Sequence, residues 1–433
     1  MGNDIQQLIE LNDWLKKELD LTCEAQLSQI IKMADQVLAW DRDLFDLRQL
    51  ERNPRYFSHL GFQLALKLAI SKHCVNAINA PTEITVVFAV YGETKRMMNA
   101  QQHKYGEDCV RRKVEQLDWL VADNPHTYWR IEIVDDGCPE GSGALASNLI
   151  RELGRQDQIS VHYLEHGIST DHPACTALTQ CADSQKGGAI AYGLWLAQQR
   201  NSSAQHYICY TDADLSTHLG QLGLLLEPLI QRRANVSCGS RREAHSIVLK
   251  GGTRNQRGKL FIYLWQQLLP HLAYMLDTQC GFKAFRADTL EPLLRDRVEN
   301  RFAFDLELLL KAELNAPNCL AKVAIGWIDS EQLSSTTQQP PYLSMLKSAV
   351  IIYHNYLPLN AHANAYAKLI SMMDEAAWER MLSALVPILE TQSLEEVLAS
   401  SELSAQQLLQ AAYPDDLMHS PMAFITQLTQ GGR

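Results

Sequence analysis

Two aspartates one residue apart, Asp212 and Asp214, close the segment Tyr207-Ile208-Cys209-Tyr210-Thr211-Asp212-Ala213-Asp214. An apolar strand that ends in Asp-x-Asp presents two hard carboxylates from one tight turn. Mg2+ or Mn2+ takes such donors when it must also hold phosphate oxygens. The same tripeptide serves equally as a solvated turn or a helix N-cap, so its meaning depends on its surroundings. Tyr91 and Glu93 follow another apolar run, Ile84 to Val90, and Asp135 and Asp136 follow a third, Trp129 to Val134. Asp135 reads equally well as a turn cap. Lys186-Gly187-Gly188 combines a cation with two residues that let backbone approach a ligand, although a plain helix start has the same look. Arg241-Arg242, and Arg254 with Arg257, are the basic clusters able to reach phosphate oxygens; for the latter two a solvated basic loop competes. His162, His166 and His172 lack paired ligand spacing and read as ordinary surface residues. His245, just after Gly239-Ser240-Arg241, is a candidate for a third metal ligand or a substrate contact.

These residues need a scaffold that gathers them. The runs 84–90, 129–134, 159–164 and 207–210 are short and rich in β-branched and aromatic residues, and read as strands. Helical segments such as 108–121 and 187–199 separate them, which indicates an α/β fold with a largely parallel sheet. Ligands then sit beyond the carboxyl ends of the strands, where the acidic residues fall. Residues 1–80 show helical spacing, with Leu27, Ile30, Ile31, Ala34, Val37 and Leu38 as one stripe. After Gly326 no glycine occurs until Gly431, and Ser393-x-x-Glu396 and Ser404-x-x-Gln407 both have the form of capping boxes. The expected division is a helical N-terminal extension (1–80), the sheet domain (81–357) and a small helical C-terminal region (358–433).

The 433 residues include 39 basic and 50 acidic side chains, a net charge of −11 that argues against a nucleic-acid partner. Ten cysteines lie scattered without a Cys-x-x-Cys pair, which excludes a zinc ribbon and suits a reducing compartment. No basic start precedes an apolar stretch, and no apolar run reaches the ~20 residues of a transmembrane helix. The expectation is a soluble, cytoplasmic protein, whose helical extensions leave homo-oligomerisation open.

Taken together, the motifs resemble glycosyltransferase family 2, with its GT-A fold, and within it the dolichyl-phosphate β-glucosyltransferase branch. The residues that carry the likeness are Val86-Val87-Phe88-Ala89-Val90-Tyr91-Gly92-Glu93, Val134-Asp135-Asp136-Gly137, Lys186-Gly187-Gly188, Thr211 to Thr217, Gly239-Ser240-Arg241, Asp277-Thr278-Gln279-Cys280-Gly281-Phe282-Lys283 and Phe304-Asp305-Leu306-Glu307. The resemblance implies a GT-A type sheet flanked by helices and an inverting, metal-dependent transfer of a hexose, glucose by preference, from a UDP-sugar. It assigns the donor to Ala89, Tyr91, Glu93, Asp135, Asp136, Lys186, Asp212, Arg254 and Arg257, and Mg2+ or Mn2+ to Asp214 with Asp212 and His245. Asp277 leads the block beside the acceptor and is the first choice of base. Asp305 is the second, with a buried structural acceptor as the competing reading.

The sequence departs from the family at Ala89 (usually proline), Gly92 (usually asparagine) and Cys138 (usually serine), and the stretch from Glu93 to Val134 is longer than usual. A helical region also stands where the branch carries a membrane anchor. The lead expectation is therefore an unidentified soluble acceptor. A peripheral enzyme acting on a polyprenyl phosphate is the alternative, and a sugar-nucleotide-binding scaffold without turnover is the reading from another class.

Overall fold

The computed structural model describes residues 2–200, 202, 204–249, 255–329, 341–400 and 403–414. Among the described residues nine strands occur: β1 (Thr82–Val90), β2 (Thr127–Asp135), β3 (Ile159–Tyr163), β4 (Gln205–Thr211), β5 (Val236–Ser240), β6 (Ile247–Leu249), β7 (Phe282–Arg286), β8 (Leu320–Ala324) and β9 (Gly326–Ile328). Seven form one sheet in the order β3-β2-β1-β4-β7-β5-β8, and β6 pairs with β9 in a small second sheet. β1 is buried along nearly its whole length, so its continuous apolar run suits a central strand covered on both faces.

β1, β2, β3 and β4 are mutually parallel. Their carboxyl ends therefore share one edge, with Val90 beside Asp135 in register. β7 is the exception, running antiparallel between β4 and β5. That reversal has a consequence for the site. It starts β7 at the edge where β4 ends, pairing Thr211 with Phe282, and so delivers the Asp277–Gly281 loop to the Asp-x-Asp turn.

The helix Leu60–Asn76 is buried on almost every side and shows no polar face. Two of its lysines are inside, and Lys67 reaches Glu51 at 2.7 Å and the Ala324 carbonyl at 3.1 Å. The N-terminal helices share one core with Leu224, Ile247 and Ile328 of the sheet region. At the other end, the helices from Tyr342 to Ala412 share a core with the helix Asn255–Leu268 and the sheet. Ser393 and Ser404 form reciprocal capping boxes with Glu396 and Gln407. Among the described residues, no helix is long and apolar enough to cross a membrane.

Candidate active site

Asp136 has the most telling environment at the strand ends. It follows β2 and is buried, and its Oδ2 accepts the Lys186 backbone N–H at 2.7 Å. Its Oδ1 is buried with no hydrogen-bond partner. Burial pushes the carboxyl up to about 6. An orphaned buried acceptor of this kind is costly unless a ligand donor completes it. Its neighbour Asp135 is spent on the backbone: Oδ1 accepts the Cys138 N–H at 2.7 Å and Oδ2 the Gly143 N–H at 2.6 Å. Those bonds hold the turn and cap the helix Ser142–Leu153, so Asp135 serves as the turn cap rather than a donor contact.

Lys186 links the two acidic motifs. Its φ of 93° bends the chain at the start of the helix Gly187–Gln198, aiming the backbone N–H at Asp136. Its ammonium pairs with Asp212. Burial works against that ammonium, but the Asp212 carboxylate more than offsets it and raises Lys186. Burial likewise works against the Asp212 charge, and Lys186 reverses the balance and lowers it.

The Asp212 backbone N–H bonds the Gly281 carbonyl at 3.2 Å. A Cβ placed on Gly281 would lie 2.3 Å from Asp212 Oδ2, so this position admits no side chain without moving the carboxylate. Asp214 accepts the Ser216 N–H on Oδ1 at 3.1 Å, and its backbone carbonyl accepts Lys113 Nζ at 2.7 Å. Both carboxylates are half-buried, leaving them open to a ligand.

No three His, Cys, Asp or Glu side chains among the described residues form a metal cluster. His245 therefore does not complete a cage with Asp212 and Asp214. Its ring lies 5.9 Å from that of Phe57, and its Nδ1 is buried without a partner. The two aspartates fit a different mode, in which one or two carboxylates hold Mg2+ or Mn2+ while substrate phosphates and water complete the shell.

The remaining candidates divide. Tyr91 stands on the rim, exposed, and Ala89 is half-buried. Glu93 is turned inward: it accepts Arg96 Nη1 at 2.7 Å, and Arg96 Nε reaches Glu107 at 3.2 Å. Arg257 is paired through both terminal nitrogens, at 2.9 Å each, with Glu379 of the C-terminal helices, which takes it away from a donor phosphate. Arg254 lies outside the described residues.

Neither proposed base is free. Arg241 holds Asp277 by its backbone N–H at 2.7 Å, Nε at 2.8 Å and Nη2 at 2.7 Å. Burial opposes the Asp277 charge, yet the guanidinium overwhelms it and holds the carboxyl far below its ordinary range. Asp305 is buried and bonded by the Tyr210 hydroxyl and by Lys283 Nζ at 2.8 Å. Burial raises Asp305 well above its ordinary value and lowers Lys283.

The sequence assigned no role to Lys113, Arg96 or, within its motif, Lys283. A signal for Lys113 was present, since it lies on the helix face that carries Cys109, Val110, Val114 and Leu117, all buried. A lysine in an apolar stripe of this kind asks for a partner. The partner itself could not be read, because Asp214 is 101 positions away.

No family model matches the chain. It is 23% identical to dolichyl-phosphate beta-glucosyltransferase of Drosophila melanogaster over 302 residues, 66% of this chain and 82% of that protein. It is 27% identical to the Homo sapiens protein of the same name over 291 residues, 64% of this chain and 78% of that protein. Glucosyl-3-phosphoglycerate synthase of Mycobacterium tuberculosis, solved with Mn2+ and UDP, superposes with a TM-score of 0.44 at 14% identity, over 68% of this chain and 85% of that one. The overlap is partial and adds nothing to the reading of the site. By its sequence likeness the chain is a glycosyltransferase, and its fold is mixed α/β. Its sequence likeness is to the dolichyl-phosphate β-glucosyltransferases.

Proposed function

We propose that the enzyme transfers a hexose, glucose by preference, from a UDP-sugar to a polyprenyl phosphate, working from the membrane surface. The Arg241–Asp277 pair carries this reading. A hydroxyl acceptor calls for a carboxylate able to take its proton, and one held so far down is a poor base near neutral pH. Asp305 is sealed behind Tyr210 and Lys283. A phosphate acceptor is already an anion and needs orientation rather than deprotonation. The names of the relatives support the same acceptor and the same sugar, so the lipid phosphate has better support than the soluble acceptor expected from sequence.

On this reading Asp136 Oδ1 accepts a ring N–H of the base. Uracil and guanine both offer one, and the choice of uracil follows the family resemblance. Lys186 sets a cation beside the diphosphate and holds Asp212 in place. A divalent cation on Asp214, with Asp212 beside it, would offset the diphosphate charge and the charge on the departing UDP. The acceptor phosphate oxygen forms a bond to the anomeric carbon as the bond from that carbon to UDP breaks. Inversion is what the family resemblance implies.

The test incubates the purified protein with UDP-[14C]glucose, Mn2+ and a short-chain polyprenyl phosphate in detergent, followed by organic extraction. Label in the organic phase that disappears with EDTA is the expected result. Label confined to water-soluble products would overturn the acceptor assignment.

A further inference from the structure

A charged side chain outside the sequence motifs supports the Asp-x-Asp turn from below. Lys113 belongs to the helix Cys109–Val121, in the long connection between β1 and β2. The residue is fully buried. Its ammonium reaches the Asp214 carbonyl at 2.7 Å and lies 5.5 Å from the centre of the Phe88 ring. A buried ammonium held by a backbone carbonyl is an expensive arrangement unless its charge is used nearby. Asp214, Asp212 and Glu107 are the carboxylates within electrostatic reach. The same connection supplies Arg96, which holds Glu93 at 2.7 Å and Glu107 at 3.2 Å.

We propose that Lys113 is a positioning residue for the Asp212-Ala213-Asp214 turn, fixing the Asp214 backbone so that the two carboxylates are held ready for the cation and diphosphate. The proposal rests on reading that turn as the metal–diphosphate site. Lys113 touches neither substrate nor metal. Its hydrogen bond sets the direction of the peptide that follows Asp214, and its charge faces the pair from the buried side.

Calorimetric binding of UDP, with Mn2+ and with EDTA, tests this in wild type, Lys113→Met and Lys113→Arg, with circular dichroism as the check on folding. Wild type should bind UDP more tightly with Mn2+ than with EDTA. Lys113→Met should keep the metal-free affinity and lose at least tenfold of the Mn2+-dependent gain, and Lys113→Arg should recover part of it. Should Lys113→Met fail to fold, Lys113→Gln, which keeps a donor but no charge, takes its place with the same expected loss. An unchanged gain in the folded variant overturns the role of Lys113 alone. Absence of any Mn2+-dependent gain in wild type overturns the reading of the turn, and the proposal with it.

Discussion

Arg241 closes on Asp277 with three hydrogen bonds of 2.7 to 2.8 Å, two from the guanidinium and one from its own backbone N–H. The guanidinium also lies 5.3 Å from the Trp327 ring. A carboxylate held in this way is an anchor for the loop that leads into β7, and a weak proton acceptor. Asp277→Ala should therefore destabilise the fold, by up to ~3 kcal/mol, because it strands a half-buried guanidinium. The Asp277 carboxyl lies below its unfolded value. Its contribution is thus present above the unfolded value near 3.9 and is lost as pH falls through the folded one. Urea unfolding of Asp277→Ala and wild type should show the gap at pH 7 and a narrower gap in strong acid. A variant as stable as wild type at pH 7 would contradict the anchor role.

Asp136 titrates the other way. Burial raises its carboxyl to about 6, above its unfolded value, so the folded state favours the protonated form. The stability this gives is present at low pH and is lost as pH rises through about 6, where the charge must be carried inside. Nucleotide binding should show the opposite trend, since the base N–H needs the ionised acceptor. UDP affinity should fall by up to tenfold per pH unit below about 6, and Asp136→Ala should abolish that dependence. Calorimetry between pH 5 and 8 decides it, and a flat wild-type profile would remove Asp136 from the site.

Much of this site was legible in the sequence because its residues sit at strand ends. Asp135, Asp136, Asp212 and Asp214 each follow an apolar run, and parallel pairing of β1 with β2 and β4 brings those ends together. What stayed hidden was which carboxylates remain free. Asp135 and Asp136 are neighbours, yet one caps a helix through Gly143 while the other keeps a bare oxygen. Arg241 and Asp277 are 36 positions apart, and only the reversed direction of β7 puts them in contact. Arg257 looked like a phosphate ligand because its local sequence is basic and glycine-rich. Its partner Glu379 is 122 positions away, in a region that reads as a separate appendage.

Gly281 offers a test that adds atoms instead of removing a functional group. A methyl group there would lie 2.3 Å from Asp212 Oδ2, far inside contact distance, so the carboxylate must turn away. Gly281→Ala should fold, lose at least tenfold in transfer activity, and weaken UDP binding mainly when Mn2+ is present. A variant with wild-type activity would mean that the Asp212 position is unimportant.

Tyr210 and Asp305 separate a structural carboxylate from a catalytic one. Tyr210→Phe removes a donor from a buried carboxylate and should lower stability by ~1–3 kcal/mol. The pH dependence of kcat should stay where it was. A base at Asp305 predicts the reverse, a shifted kcat profile with little change in melting temperature. Thermal unfolding and a pH series on one preparation distinguish the two.

Asp214 gives the sharpest separation of nucleotide binding from metal binding. Its carboxylate accepts one backbone hydrogen bond, from Ser216 at 3.1 Å, and is otherwise half-open to a ligand. Asp214→Asn keeps the shape and that hydrogen bond while removing the charge that a hard cation requires. The backbone carbonyl that Lys113 holds is untouched, so the turn itself should stay in place. UDP affinity measured in EDTA should therefore match wild type. The gain on adding Mn2+ should vanish, and transfer should fall by at least a hundredfold at every metal concentration tried. If instead Asp214→Asn weakens UDP equally with and without Mn2+, the carboxylate acts on the nucleotide directly, and the cation must bind elsewhere.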